Sequence, residues 1–178
     1  DGVINEEVGQ LSRLEDFRMY DFVPKAIKKI NDAGFLVIVI TNQPMIAKGF
    51  MTEKDLQKIH EKMQAEIVKY GAKIDGIYYC PHHPEKGFEG EVPELKIICN
   101  CRKPEIGMIQ KAVKDFNIDL ASSFFIGDST TDAKAAENAG IKFIGVKTGY
   151  GLKDGRYKLK KKFLMHKNLL EAVNSILQ

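Results

Sequence analysis

Six consecutive apolar residues, Phe35-Leu36-Val37-Ile38-Val39-Ile40, lie between Gly34 and the polar break Thr41-Asn42-Gln43-Pro44. A run this short and this rich in β-branched residues predicts a strand buried on both faces, as inside a parallel sheet. Parallel strands need crossovers of roughly a dozen residues or more. The chain supplies them. Pro24, followed by Ala26, Ile27, Ile30 and Ala33 at helical spacing, predicts a helix that Gly34 ends. Thr52 as N-cap with Asp55 three residues on predicts a second helix to about Tyr70, with Leu56, Ile59, Met63 and Ile67 along one face.

The alternation continues. Ile74 to Tyr79 reads as a strand running into Cys80, and Pro104 as the start of a helix carrying Ile106, Ile109, Ala112, Val113 and Phe116. Phe124 to Ile126 is a short strand ending in Gly127-Asp128. An alanine-rich helix from about Thr131 to Asn138, a strand from Lys142 to Val146 and a last helix through Leu169, Val173 and Ile176 follow. Glu6 to Tyr20 has no sustained period and reads as loop. The predicted fold is one α/β domain over residues 1–178, a Rossmann-like parallel sheet with helices on both faces.

Composition narrows the class. At 178 residues and 44% hydrophobic content the chain can bury one substantial core. A net charge of +3 is too small to argue for a nucleic-acid partner. Lys158, Lys160, Lys161 and Lys162, beside Tyr157 and Phe163, read as a solvated face rather than a nucleic-acid groove. No apolar run reaches the roughly eighteen residues of a membrane-spanning helix, so no membrane association is indicated. Cys99 and Cys101 are awkward partners for a disulfide, because alternate side chains on extended backbone diverge. A reducing, cytoplasmic setting is expected.

In parallel α/β sheets ligands sit beyond the carboxyl ends of the strands. That rule predicts one shared edge for Thr41, Cys80, Asp128 and the opening loop Asp1-Gly2-Val3-Ile4-Asn5. Asp128 and Asp132, four residues apart at a strand-to-helix junction, suit a hard cation such as Mg²⁺; the alternative is that Asp128 or Ser129 caps the next helix. The Thr41 hydroxyl and neighbouring N–H groups suit phosphate oxygens, or an ordinary turn. Arg102 and Lys103, ahead of the helix expected at Pro104, make an anion site or a solvated pair. Cys80-Pro81-His82 and Cys99-Asn100-Cys101 flank a loop rich in Pro and Gly. Three thiolates and an imidazole suit tetrahedral Zn²⁺ in a closed structural site, with His82 favoured over His83; the alternative is core-like cysteines.

Taken in order, these elements resemble the four motifs of the haloacid-dehalogenase-like (HAD) phosphatases. Asp1-Gly2-Val3 matches the second half of the first motif, Asp-x-Asp-Gly-(Thr/Val). The resemblance implies that Asp1 is the general acid/base and a Mg²⁺ ligand. It places the nucleophilic Asp two residues ahead of Asp1, on a first strand outside the sequence. Thr41 and Lys103 would hold the transferring phosphoryl group, Asp128 would bind Mg²⁺ with Asp132 in support, and no large cap domain is expected.

Cys80-Pro81-His82-His83-Pro84, Thr41-Asn42-Gln43, Ile46-Ala47-Lys48-Gly49 and Cys101-Arg102-Lys103-Pro104 further resemble the zinc-loop branch. That branch holds D-glycero-D-manno-heptose-1,7-bisphosphate phosphatases and histidinol-phosphate phosphatases. The long segment from His82 to Cys99 is more similar to the heptose enzymes. The resemblance implies a small sugar phosphate as substrate, contacts from Asn42, Gln43 and Arg102, and a monomer that some relatives carry fused to an upstream domain. Pro44 stands where a Ser is common in the family, and Ser129 where the heptose enzymes often carry a Lys. Histidinol phosphate is the rival substrate, and an inactive zinc-stabilised binding domain the rival class.

Overall fold

The computed structural model describes residues 1–160 and 162–178. Among the described residues five strands and five α-helices follow in the order α1 (Val23–Asp32), β1 (Ile38–Asn42), α2 (Glu53–Val68), β2 (Gly76–Cys80), α3 (Gly107–Phe116), β3 (Phe124–Gly127), α4 (Thr130–Ala139), β4 (Lys142–Val146), β5 (Leu164–His166) and α5 (Leu169–Ile176), alternating except where β5 follows β4. The strands form two half-sheets. β1 pairs with β2, from Ile38 against Gly76 to Asn42 against Cys80, and β4 lies between β3 and β5.

Side chains alternate between two faces as the period of two requires. Ile77, Tyr79 and Ile126 join the large core of α1, α2 and α5, built on Phe17, Val23, Ile27, Leu56, Ile67 and Val173. On the other face, Phe125 and Phe143 pack with Ala133 and Ala136 of α4, while Gly76 meets the Phe116 ring of α3. A Cβ at Gly76 would stand 2.9 Å from that ring. Among the described residues β1 and β3 share no backbone hydrogen bonds. A cavity of about 580 Å³ runs between them, apolar where Ile38, Ile40, Phe124 and Ile126 line it and polar at the strand ends.

Several boundaries differ from the sequence expectation. The strand expected from Phe35 begins at Ile38 and runs on through Thr41 to Asn42. Phe35 and Leu36 are instead exposed, in the turn after α1. β1 is only half-buried, because its free edge faces the cavity. α3 starts at Gly107 rather than Pro104: Glu105 N donates to Arg102 O and Gly107 N to Asn100 O, which holds residues 101–106 in turns. Arg102 and Lys103 therefore do not stand at a helix N-terminus, and the helix-dipole argument for them fails. Short 3₁₀ turns at Leu14–Asp16 and Pro93–Leu95, and strand β5, were not anticipated. Of the basic run, Lys161 lies outside the described residues. Phe163 packs edge-on to Phe143 at 5.0 Å, which removes it as a base-stacking group.

Candidate active site

The opening loop turns back on itself through Gly2 N to Asn5 O, 2.8 Å, and Asn5 bridges to Met19. This turn fixes the Asp1 carboxylate. Asn5 Nδ2 donates to Oδ1 at 2.8 Å and Gln43 Nε2 to Oδ2 at 3.3 Å. The Gln43 amide also donates to Thr41 Oγ1 at 3.1 Å, so one buried side chain ties the loop to the end of β1.

Lys103 is held from both ends. Its N–H donates to Asn42 Oδ1 and its carbonyl accepts from Asn42 Nδ2, at 2.9 and 3.0 Å. Its ammonium donates to Ile40 O on the free edge of β1, 2.9 Å, and to Asp132 Oδ1, 2.6 Å. This side chain thus crosses from one half-sheet to the other. Its partner Asp132 is the third residue of α4 and closes a capping box with Ser129. Burial pushes the Asp132 carboxyl upward, but the Lys103 ammonium and the Ser129 bonds hold it below the usual carboxylate range. The cap alternative is correct for Ser129, and Asp132 both caps and pairs.

Asp128 follows β3 and is buried. Its Oδ2 accepts from Tyr150 N at 2.9 Å and its carbonyl from Leu152 N at 2.7 Å. Burial raises its carboxyl to about 6; the Tyr150 N–H opposes this and Asp132 adds to it. Gly2 and Gly149, both at positive φ, press their backbones against this carboxylate. A Cβ at either would fall 2.1–2.2 Å from Oδ2, so only glycine fits there. A desolvated carboxylate with a second one near it, at the mouth of a polar cavity, fits a divalent cation that would offset the clustered negative charge. The segment after β4, with Gly149, Tyr150, Asp154 and Arg156, was missed in the sequence. Its signal was available: β4 also ends at this edge, and Gly149-Tyr150-Gly151 is a glycine-flanked loop there.

The Cys/His loop assembles beside this edge. Cys101 Sγ lies 3.1 Å from Cys80 Sγ and 3.3 Å from Cys99 Sγ, Cys80 lies 3.6 Å from Cys99, and His82 Nδ1 lies 3.2 Å from Cys101. All four ligand atoms fall within 4.8 Å of one another. Zn–S bonds of about 2.3 Å in a tetrahedron put sulfurs about 3.8 Å apart, so the donor set fits Zn²⁺ in number, type and spacing. Burial pushes the Cys80 thiol up, which a bound cation would reverse. His83 is outside the cluster; it packs against the Phe88 ring, 3.8 Å from Glu85. Arg102 Nη1 donates to His82 O at 3.2 Å, which ties this loop to the segment bearing Lys103.

Residues 100–172 match the HAD-hydrolase-like family model. The chain is 43% identical over 151 residues to a D-glycero-β-D-manno-heptose-1,7-bisphosphate 7-phosphatase of Haemophilus ducreyi, covering 84% of this chain and 80% of that protein. It is equally similar, over the same shares, to a D-glycero-α-D-manno-heptose-1,7-bisphosphate 7-phosphatase of Photorhabdus laumondii. A crystal structure of the D,D-heptose 1,7-bisphosphate phosphatase of B. bronchiseptica, complexed with magnesium and phosphate, superposes with a TM-score of 0.86. That likeness has 29% identity and covers 99% of this chain and 94% of that one. The motifs, the strand-end site and these relatives agree: the chain belongs to the HAD-like phosphatases, in the family of the heptose-1,7-bisphosphate 7-phosphatases.

Proposed function

We propose that this protein hydrolyses the 7-phosphate of a D-glycero-D-manno-heptose 1,7-bisphosphate through its strand-end site. The observation that carries the reading is the convergence of the Asp1 carboxylate, Thr41 hydroxyl, Lys103 ammonium and Asp128 carboxylate on one edge. Lys103 and the Thr41 hydroxyl would bind the non-bridging oxygens of the transferring phosphoryl group, where charge develops. Asp1, oriented by Asn5 and Gln43, would protonate the departing sugar oxygen and later take a proton from water. Asn42 and Gln43 would serve by fixing Lys103 and Asp1, and Arg102 by meeting the sugar phosphate. Mg²⁺, held by Asp128 and Asp1 with Asp132 in support, would supply charge neutralisation at the phosphoryl oxygens. Zn²⁺ on Cys80, His82, Cys99 and Cys101 would hold the loop.

The cavity between β1 and β3 suits one further parallel strand, apolar on both faces and ending in the acceptor carboxylate two residues ahead of Asp1. The phosphoryl group would pass to that carboxylate and then to water. A substrate panel on the protein with the residues encoded ahead of Asp1 included tests the reading. Heptose bisphosphate should be the preferred substrate, with turnover requiring Mg²⁺. Preference for histidinol phosphate would overturn the substrate, and a non-acidic residue at the acceptor position would leave a zinc-stabilised binding domain.

A further inference from the structure

A 1,7-bisphosphate brings a second phosphate at the opposite end of the sugar from the one hydrolysed, and it too must be met by positive charge. Lys103 cannot serve both, because its ammonium is already fixed between Ile40 O and Asp132 deep in the site. Ser129, directly after Asp128, supplies no cation and is engaged as a helix cap.

We propose that Arg156, reaching the site from the segment after β4, binds the phosphate that is not hydrolysed and so selects bisphosphates over monophosphates. This rests on the heptose bisphosphate reading above. Arg156 lines the same cavity as Asp1, Lys103 and Asp128. Its guanidinium lies 5.0 Å over the Tyr150 ring, with Nη2 3.4 Å from the Tyr150 hydroxyl. Tyr150 N–H is the donor to Asp128, so the same residue that orients the candidate metal ligand also carries the cation. A guanidinium stacked on an aromatic ring is pre-organised and keeps its outer N–H groups free for a phosphate.

The charge inventory around Arg156 supports an anion there. The carboxylate beside it, Asp154, is 3.8 Å from Nε and has both oxygens occupied by Thr130, through N–H at 2.7 Å and Oγ1–H at 2.8 Å. The Asp154 side chain is 2% exposed and that of Arg156 54%, so the acid is part of the fold and the base faces outward. Arg102, the other guanidinium of this region, is tied back to the Cys/His loop, its Nη1 donating to His82 O at 3.2 Å.

Steady-state kinetics of the protein with the residues encoded ahead of Asp1 included, on heptose 1,7-bisphosphate and on p-nitrophenyl phosphate, which has a single phosphate, test the assignment. Arg156→Gln keeps the aliphatic stem over Tyr150 and should lower kcat/KM for the bisphosphate by about 10- to 100-fold, mainly through KM. The loss on the monophosphate should be several-fold smaller, and Arg156→Lys should recover part of the bisphosphate activity. Equal proportional losses on both substrates would mean that Arg156 only positions Tyr150 and Asp128, and would overturn the proposal, as would no loss on the bisphosphate. If Arg156→Gln lowers the melting temperature, Arg156→Lys carries the same two-substrate comparison. Wild-type protein that turns over p-nitrophenyl phosphate but not the bisphosphate would instead bring down the heptose reading, and this inference with it.

Discussion

The Cys/His loop and the strand-end edge sit side by side, and they are built in opposite ways. The loop draws four ligands from two short stretches, 80–82 and 99–101, and its geometry needs little beyond a metal to close it. The edge draws Asp1, Thr41, Lys103 and the Asp128/Asp132 junction from four places in the chain, and all but Thr41, which Gln43 holds, are fixed by a group distant in sequence. Lys103 belongs to both. It follows Cys101 by two residues, and it bridges Ile40 of one half-sheet to Asp132 beside the other. A locally assembled donor cluster thus lies two residues from a side chain that long-range contacts hold in place.

The largest test of that contrast removes the shared residue. Lys103→Met should reduce turnover by about 1,000-fold or more, through loss of the charge facing the phosphoryl group. It should also destabilise the fold by about 3–5 kcal/mol, because Asp132 stays buried without its cation. Kinetics and urea unfolding measure the two effects, and a variant with near-normal kcat would remove Lys103 from the chemistry.

Thr41→Val keeps shape and removes only the hydroxyl, so about a 100-fold fall in kcat with little change in stability is expected. Stability loss without kinetic loss would show that Thr41 matters only as the acceptor for Gln43.

Cys101→Ser tests the local half. Bound zinc measured by mass spectrometry should fall from about one per chain, and hydrogen exchange should quicken across 80–103 while α4 and α5 keep their protection. Turnover should drop by about 10- to 100-fold as Arg102 and Lys103 lose their support. Retained zinc and unchanged protection would contradict a structural metal.

The smallest effect belongs to the segment after β4. Asp154→Ala leaves the Thr130 N–H at the start of α4 without its acceptor and should cost about 1–3 kcal/mol. It should also raise the Mg²⁺ concentration needed for half-maximal activity, since the segment that brings Tyr150 N–H to Asp128 would lose the anchor that Asp154, four residues on, makes to Thr130. An unaltered Mg²⁺ requirement would confine Asp154 to stability.

Much of this was legible in the sequence, for identifiable reasons. Thr52 with Asp55, and Ser129 with Asp132, form the capping boxes that their spacing allows, because capping is a local contact. The C-x-H and C-x-C pairs found one another because so few ligand types were available. The strand-end rule placed Thr41, Cys80 and Asp128 together because a parallel sheet puts all carboxyl ends on one edge. Phe35 and Leu36 misled, because apolarity reports a preference for burial that the backbone path need not satisfy, and the chain leaving α1 keeps both exposed ahead of β1. Pro104 misled for a related reason: a residue suited to a helix start was held in a turn by bonds from Glu105 and Gly107.

What the sequence determined by itself was the order of elements, the caps and the chemical identity of the site residues, each of which depends on neighbours within a few positions. What only the tertiary structure decided was which partner each polar group found. Asp132 serves as both a cap and an ion pair, Gln43 joins Asp1 to Thr41, and Tyr150 brings Asp128 a hydrogen bond and Arg156 a platform. The longest of those pairings, Tyr150 with Asp128, Lys103 with Asp132 and Gln43 with Asp1, span 22, 29 and 42 residues. They exist because burial leaves a polar group no water to turn to, so the packed neighbour that can satisfy it becomes its partner.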